Sequence, residues 1–286
     1  MTDEYRFEPL EHNARGYERI SKLMGEVFPK ARHLTPRYFE WHYGRNPDGQ
    51  AIGCNAFAGG ELVGHMAAHV FPCTLEGEDR RGMYTVNGSV HPLHRGRRLQ
   101  SRISAAMFEE AARLGYSFCL ATGNKWSTGP LLTRFKMLRP LEARLGFGLP
   151  KRREAGPGPS FERVWSDEAV RWRLANPEGR YRSIRQGDQA AILSAAGVPG
   201  IGAILHQGPG QGAGRESLPE SGQAPGPLRL WLGLDPGIDW KGSAFLPIPM
   251  RLRPSPLNLV YKDLTGSGFV PDPDRVVFRG LDFDAY

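Results

Sequence analysis

The chain has 286 residues, 37 Lys+Arg against 30 Asp+Glu, and a formal charge of +7, with 40% apolar and 23% charged residues. This is the profile of a soluble globular protein, long enough for one large or two medium domains without a disulfide or metal staple. No apolar run approaches the roughly 18 residues of a membrane span, and the acidic start MTDEYRFEPLEH excludes a signal peptide, so a cytoplasmic protein with no membrane partner is expected.

In chain order, residues 5–10 read as a short strand. Residues 16–27 carry apolar side chains at helical spacing (Tyr17, Ile20, Leu23, Met24, Val27) and stop before Pro29. Thr35-Pro36 is a cap followed by proline at the first helical position. Asn46-Pro47-Asp48-Gly49 is a turn. Residues 51–58, 62–75 and 83–91 read as three strands of a meander, with Gly59-Gly60 as the first hairpin turn. Between Arg97 and Leu114 the period becomes helical, and Gly115 follows as a C-terminal cap. Residues 116–122 form a buried strand, and another helix is expected over 130–135. The step from Met83 to Thr122 predicts a right-handed parallel crossover. The fold class is α/β (α+β), a mixed sheet with flanking helices over residues 5–150.

A second unit, residues 160–286, begins near Phe161. Val170-Arg171-Trp172 and Asn176-Pro177-Glu178-Gly179 echo Phe39-Glu40-Trp41 and Asn46-Pro47-Asp48-Gly49 about 130 residues earlier. The echo reflects either two related domains or a common turn type. Strands are expected at 189–195, 201–205, 228–234, 257–264 and 275–283, with a Gly/Pro/Ser-rich loop at 207–227.

The charge is localised. Residues 80–153 hold fifteen basic and three acidic side chains, a net +12, which leaves −5 on the rest. Such a patch suits an anionic partner. No nucleic-acid motif is present and the aromatics do not interleave with the arginines, so nucleic acid is not expected. Cys54, Cys73 and Cys119 are scattered, without Cys/His metal spacing, so no metal is expected and the thiols read as buried and inert.

The chemistry is concentrated in Val86–Arg102, VNGSVHPLHRGRRLQSR. A strand ends at His91-Pro92, and a basic, Gly-containing turn opens into an amphipathic helix. A helix start offers unpaired N–H groups and partial positive charge; with Arg95, Arg97, Arg98 and the Gly96 backbone it makes a phosphate site. Asn87-Gly88 inside the strand marks a bulge or a flexible kink.

At these residues the sequence resembles the GNAT superfamily of acyl-CoA-dependent N-acyltransferases. Val90-His91-Pro92 matches the family's strand end, and Arg95-Gly96-Arg97, Leu99 and Ser101 match its pyrophosphate loop. Arg98 and Gln100 stand where the family usually has glycines. The resemblance implies acetyl-CoA or another acyl-CoA as co-substrate, bound by Val90, residues 95–101, Asn124 and Ser127. It implies direct attack of an amine on the thioester, with the Val90 N–H as oxyanion donor and the bulge splaying the fourth strand from the fifth. The expected acceptor is a small-molecule amine or amino sugar, with an antibiotic or a protein lysine equally compatible with the sequence. Leu131 replaces the tyrosine that many members use as acid. Tyr84, His91, His65 and His69 are the remaining acid–base candidates, with Tyr84 and His91 placed first. The second unit resembles a degenerate GNAT domain without its own basic loop. Two other readings stay open: a donor carried on acyl carrier protein, and a non-catalytic CoA-binding pseudo-enzyme.

Overall fold

A computed structural model describes residues 4–153, 156–209 and 226–283. The elements are β1 (Arg6–Pro9), α1 (Ala14–Val27), α2 (Pro36–Phe39) running into a π-turn (Glu40–Gly44), β2 (Ile52–Ala58), β3 (Glu61–Leu75), β4 (Glu78–Val90), α3 (Leu99–Arg113), β5 (Phe118–Gly123), α4 (Thr128–Leu132), β6 (Lys136–Pro140) and β7 (Glu142–Phe147). The later part adds β8 (Lys151–Arg152), β9 (Phe161–Arg163), α5 (Asp167–Leu174), β10 (Tyr181–Gln186), β11 (Gln189–Ala195), β12 (Ile201–Pro209), β13 (Leu228–Gly233), β14 (Ile238–Asp239), β15 (Phe245–Pro247) and β16 (Asn258–Asp263).

Local chemistry sets the helix starts. Asn13 Oδ1 accepts from the Gly16 N–H at 2.8 Å, Thr35 Oγ1 from Tyr38 at 3.2 Å, and Ser166 Oγ from Ala169 at 3.1 Å. Gly115 adopts φ +81° just past α3, as its position predicts. The first sheet is then clothed on both faces. Ile20, Leu23 and Met24 of α1 pack with Tyr38 and Phe39 on one side, and Leu99, Ile103 and Met107 of α3 on the other. Each such buried side chain contributes about 1.5–3 kcal/mol.

The sheets exchange strands. The main path of the first runs β1-β2-β3-β4-β5-β16-β6, and the second runs β10-β11-β12-β13-β7-β15. β7, from the first half of the chain, lies antiparallel to β13; β16, from the second half, lies antiparallel to β5. From β2 onward the first order matches the second, β1 being an extra edge strand. Over that shared stretch each has three antiparallel strands (β2-β3-β4, β10-β11-β12), a parallel neighbour (β4 with β5, β12 with β13), a strand donated by the other half, and a closing strand. A cut near residue 150 therefore separates neither sheet cleanly.

The sequence echo falls at the junction. Trp41 and Trp172 stack at 5.4 Å, and each indole N–H donates to the other's carbonyl, at 2.8 and 3.0 Å. Both turns are built alike, with Asn46 Oδ1 accepting from Asp48 N and Asn176 Oδ1 from Glu178 N. The repeated tetrapeptide marks a local two-fold relation.

Three expectations need correction. Residues 275–283 do not form a strand. Pro273 opens a short 3-10 turn capped by Asp272, a second turn spans Gly280–Asp282, and only isolated bridges at Val276 and Phe278 remain between them. The loop expected at 207–227 starts later, because residues 207–209 extend β12; residues 210–225 lie outside the described residues. Strands β6 and β7 went unread in the sequence, being short and arginine-bearing.

Candidate active site

The site begins with a fork. β4 and β5 pair in parallel at Gly82↔Phe118, Met83↔Cys119 and Tyr84↔Leu120, and the pairing ends there. β4 runs on to Val90, bent by a bulge. Its register against β3 passes from Val86↔Ala67 to Ser89↔His65, so Asn87 and Gly88 together oppose Met66. Asn87 takes φ +53°, a left-handed conformation that asparagine tolerates better than most residues. The sequence leaves bulge and kink open; the structure has a bulge. Beyond it, the His91 N–H donates to the Val63 carbonyl at 2.9 Å. By antiparallel alternation the Val90 N–H then faces away from β3, on the β5 side, where the fork opens.

The basic turn follows directly. Gly96 and Arg98 adopt φ +78° and +56°, and Arg98 is the residue preceding α3. The conformation that glycine would favour at position 98 is present, carried by an arginine. Arg95, Arg97 and Arg98 are exposed. Arg95 Nε donates to the Val90 carbonyl at 3.3 Å and Arg97 to the Tyr5 hydroxyl at 2.8 Å. Leu99 is buried and anchors the helix start. Gln100 lays its amide against Met66 Sδ at 3.7 Å, beside Gly88.

One residue of this site escaped the sequence reading. Arg134, just after α4, donates from Nη1 to Ser101 Oγ at 2.9 Å. Its Nε is buried without a hydrogen-bond partner, and burial holds its pKa below the ordinary arginine value. A guanidinium with an unsatisfied donor beside a helix start is what an incoming phosphate would complete. Its only signal in the sequence was membership of the basic stretch.

The remaining candidates divide. Tyr84 sits at the last paired position of the fork, buried, with its hydroxyl 2.6 Å from Thr122 Oγ1 and its ring beside Phe278 of the second half. His91 Nδ1 accepts the Leu93 N–H at 3.3 Å and Nε2 lies 3.6 Å from Glu26, so the lone pair of a neutral ring is engaged. His91 lines an open cleft of about 510 Å³ beside α1. Asn124 Oδ1 accepts from the backbone of Trp126 and Ser127 and from Ser127 Oγ, tying Asn124 and Ser127 into the turn that starts α4. His65 and His69 share a face, as their parity predicts, and both are buried. Desolvation pushes His65 down to about 3, so it is neutral near pH 7. His69 is wedged against His42 and Trp172.

Burial raises the thiols of Cys54 to about 11 and Cys73 to about 12, and raises Cys119 as well, as inert cysteines require. Among the described residues no group of His, Cys, Asp and Glu is placed to hold a metal ion. No helix among them is long and apolar enough to cross a membrane.

Comparison with known proteins agrees with this geometry. Residues 11–135 match the family model of the acetyltransferase (GNAT) domain. A GCN5-related N-acetyltransferase from Kribbella flavida superposes with a TM-score of 0.62 at 13% identity, covering 92% of this chain and 72% of that one. Eis1 from Mycobacterium abscessus gives 0.56 at 10% identity, with 91% and 74% covered. The N-myristoyltransferase of Saccharomyces cerevisiae, solved with myristoyl-CoA, gives 0.56 at 11% identity, with 97% and 84% covered. At such identities these likenesses speak to the fold, over nearly the whole chain. No curated protein matches the sequence. Over residues 11–135 the chain is thus similar to the GNAT acetyltransferase domain, and its fold is the one those neighbours share.

Proposed function

We propose that the protein transfers an acetyl or short acyl group from acyl-CoA to the primary amine of a small molecule or amino sugar, by direct attack. The observation that carries this reading is the fork. A strand gap, a main-chain N–H facing it at Val90 and a basic helix start at Arg95–Ser101 lie in sequence along one stretch of chain.

The roles follow from placement. The turn Arg95-Gly96-Arg97-Arg98, with the N–H groups opening α3 at Leu99–Ser101, holds the pyrophosphate, and Arg134 joins it through Ser101. The acyl arm enters between β4 and β5, where the Val90 N–H meets the developing oxyanion. Tyr84, at the vertex, supplies the proton to the departing thiolate and Thr122 orients its hydroxyl. An alkyl ammonium, with a pKa of about 10.4, must lose its proton first. His91 is poorly disposed to take it, with its lone pair spent on Leu93. Asn124 reaches a ligand only through its Nδ2, since its oxygen is committed to its own turn.

We read the chain as two GNAT-like units, 5–150 and 160–286, that exchange β7 and β16, with the cofactor in the first and the degenerate second one packed behind the fork through Phe278 and Trp172. A second reading, a long acyl chain delivered by CoA or acyl carrier protein, draws support from the +12 charge of residues 80–153. Calorimetry with CoA tests the core of the proposal. Release of free thiol from acetyl-CoA across an amine panel tests transfer. Absence of CoA binding at millimolar concentration would overturn both CoA readings.

A further inference from the structure

The bulge that opens the fork is held from behind. Asn87 Nδ2 donates to the Tyr43 hydroxyl at 2.9 Å. That hydroxyl lies 3.1 Å from His65 Nε2, and His65 Nδ1 lies 2.7 Å from Asn55 Oδ1. The four residues come from four places: β4, the π-turn after α2, β3 and β2. Tyr43 and His65 have no exposed surface and Asn55 has 3%.

The direction of the chain follows from what each atom can do. An amide oxygen only accepts, so His65 carries its proton on Nδ1 and gives it to Asn55. Nε2 then offers a lone pair, and the Tyr43 O–H donates to it. The same phenolic oxygen accepts from Asn87. Every link has a donor and an acceptor, and a neutral His65 fits the desolvated site. An apolar interior strengthens such a chain and makes each broken link costly.

We infer that Asn55, His65 and Tyr43 are positioning residues, fixing the Asn87 bulge and thereby the direction of the Val90 N–H in the fork. Two observations make the bulge need a holder. Asn87 occupies φ +53°, which costs energy for any residue with a Cβ. Gly88 has no side chain to anchor the strand, and only the ends of the flexible Gln100 and Met66 side chains approach it. The bulge of the second sheet provides the contrast. There the register of β11 against β12 shifts at Leu205, which is fully buried and needs no polar tether.

The inference rests on the acyltransferase reading only for its catalytic consequence, and its test is built to separate the two. Amide hydrogen exchange over residues 86–91 is measured in Tyr43→Phe, Asn87→Ala and Asn87→Gly, with melting curves to confirm folding. Each variant is expected to exchange at least about tenfold faster there, with other β4 amides unchanged, and Tyr43→Phe plus Asn87→Ala should be no worse than either alone. Asn87→Gly is the discriminating case, because glycine relieves the backbone strain but lacks the amide. CoA affinity by calorimetry should stay within about twofold. Turnover of acetyl-CoA should fall about tenfold or more with little change in KM, since the donor N–H acts on the transition state. Unchanged exchange in folded variants, protection restored by Asn87→Gly, or multiplicative losses in the double variant would overturn the inference. If the wild-type protein fails to bind CoA, the acyltransferase mechanism falls, and the exchange measurements still decide whether the chain holds the bulge.

Discussion

From β2 onward the first sheet repeats the strand order of the second and each has a fork, yet they are furnished differently. In the first, β4 and β5 part after Tyr84, an asparagine bulge sits on a buried polar chain, and β4 leads into a basic helix start. In the second, β12 and β13 pair from Ile201↔Leu228 to Ile204↔Trp231 and then part, beside a bulge filled by Leu205. Residue His65, which pairs beyond the first bulge, has the apolar Ile192 as its counterpart at the second. Topology thus supplies an opening twice. Among the described residues, the buried polar chain and the basic helix start accompany only the first.

The sharpest break in the comparison is predicted at the echoed turns. Asp48 pairs with Arg163 at 3.0 Å, both nearly buried, while its counterpart Glu178 is exposed. Asp48→Ala should destabilise by about 3–5 kcal/mol, because it strands a buried guanidinium. Glu178→Ala should stay within about 0.5 kcal/mol. Urea unfolding of both variants checks this; equal losses would mean that the turns are equivalent after all.

The next effect concerns ligand binding. Arg95→Ala with Arg97→Ala should weaken CoA at least about 100-fold, since hydrogen bonds to charged groups contribute about 1.5–3 kcal/mol each. Arg180→Ala with Arg182→Ala, at an open cleft of the second sheet, should leave affinity unchanged. Calorimetry on both pairs decides which half binds CoA.

A third prediction uses pH. His65 is buried and neutral in the fold, with its pKa pushed down to about 3 against an unfolded value near 6.5. Between these values the unfolded chain binds the extra proton, so stability falls as pH falls through that window. From pH 6.5 to 5 the loss is about 1.6 kcal/mol. His42, lowered by burial and by Arg173, adds to the same slope. His65→Gln should reduce the acid slope in denaturation measured across pH 5–7; an unaltered slope would show that His65 does not titrate in the unfolded reference as assumed.

Much of the first half was legible in the sequence because local signals and tertiary needs agree there. Thr35 caps, Gly115 terminates, and Leu99, Ile103 and Met107 face one way. Asn87-Gly88 marked the irregularity in β4, though not whether it was a bulge or a kink. The strand exchange was not legible. Nothing in β7 or β16 says which sheet either joins, since pairing partners are chosen by packing rather than by pattern. Arg134 was missed for a similar reason: only the fold brings it to Ser101. His65 was visible as a candidate base, but not its burial, which makes it a holder of Tyr43 rather than an acceptor of protons.

The smallest predicted effect sharpens the contrast at the loop itself. Arg98 adopts φ +56° and is exposed, at a position where glycine is usual in GNAT loops. A non-glycine residue there costs about 1–2 kcal/mol, partly offset in Arg98→Gly by the greater backbone entropy that glycine must lose, about 0.5–1 kcal/mol. The net gain should be under about 1 kcal/mol, a rise of about 2–3 °C in Tm. Affinity should move the other way, since the variant removes a guanidinium from the phosphate turn. A raised Tm with weaker CoA binding would show that Arg98 was kept for its charge at the expense of its backbone. A raised Tm with tighter binding would show instead that close backbone approach matters more than the charge, and would assign the phosphate contacts to Arg95, Arg97 and Arg134.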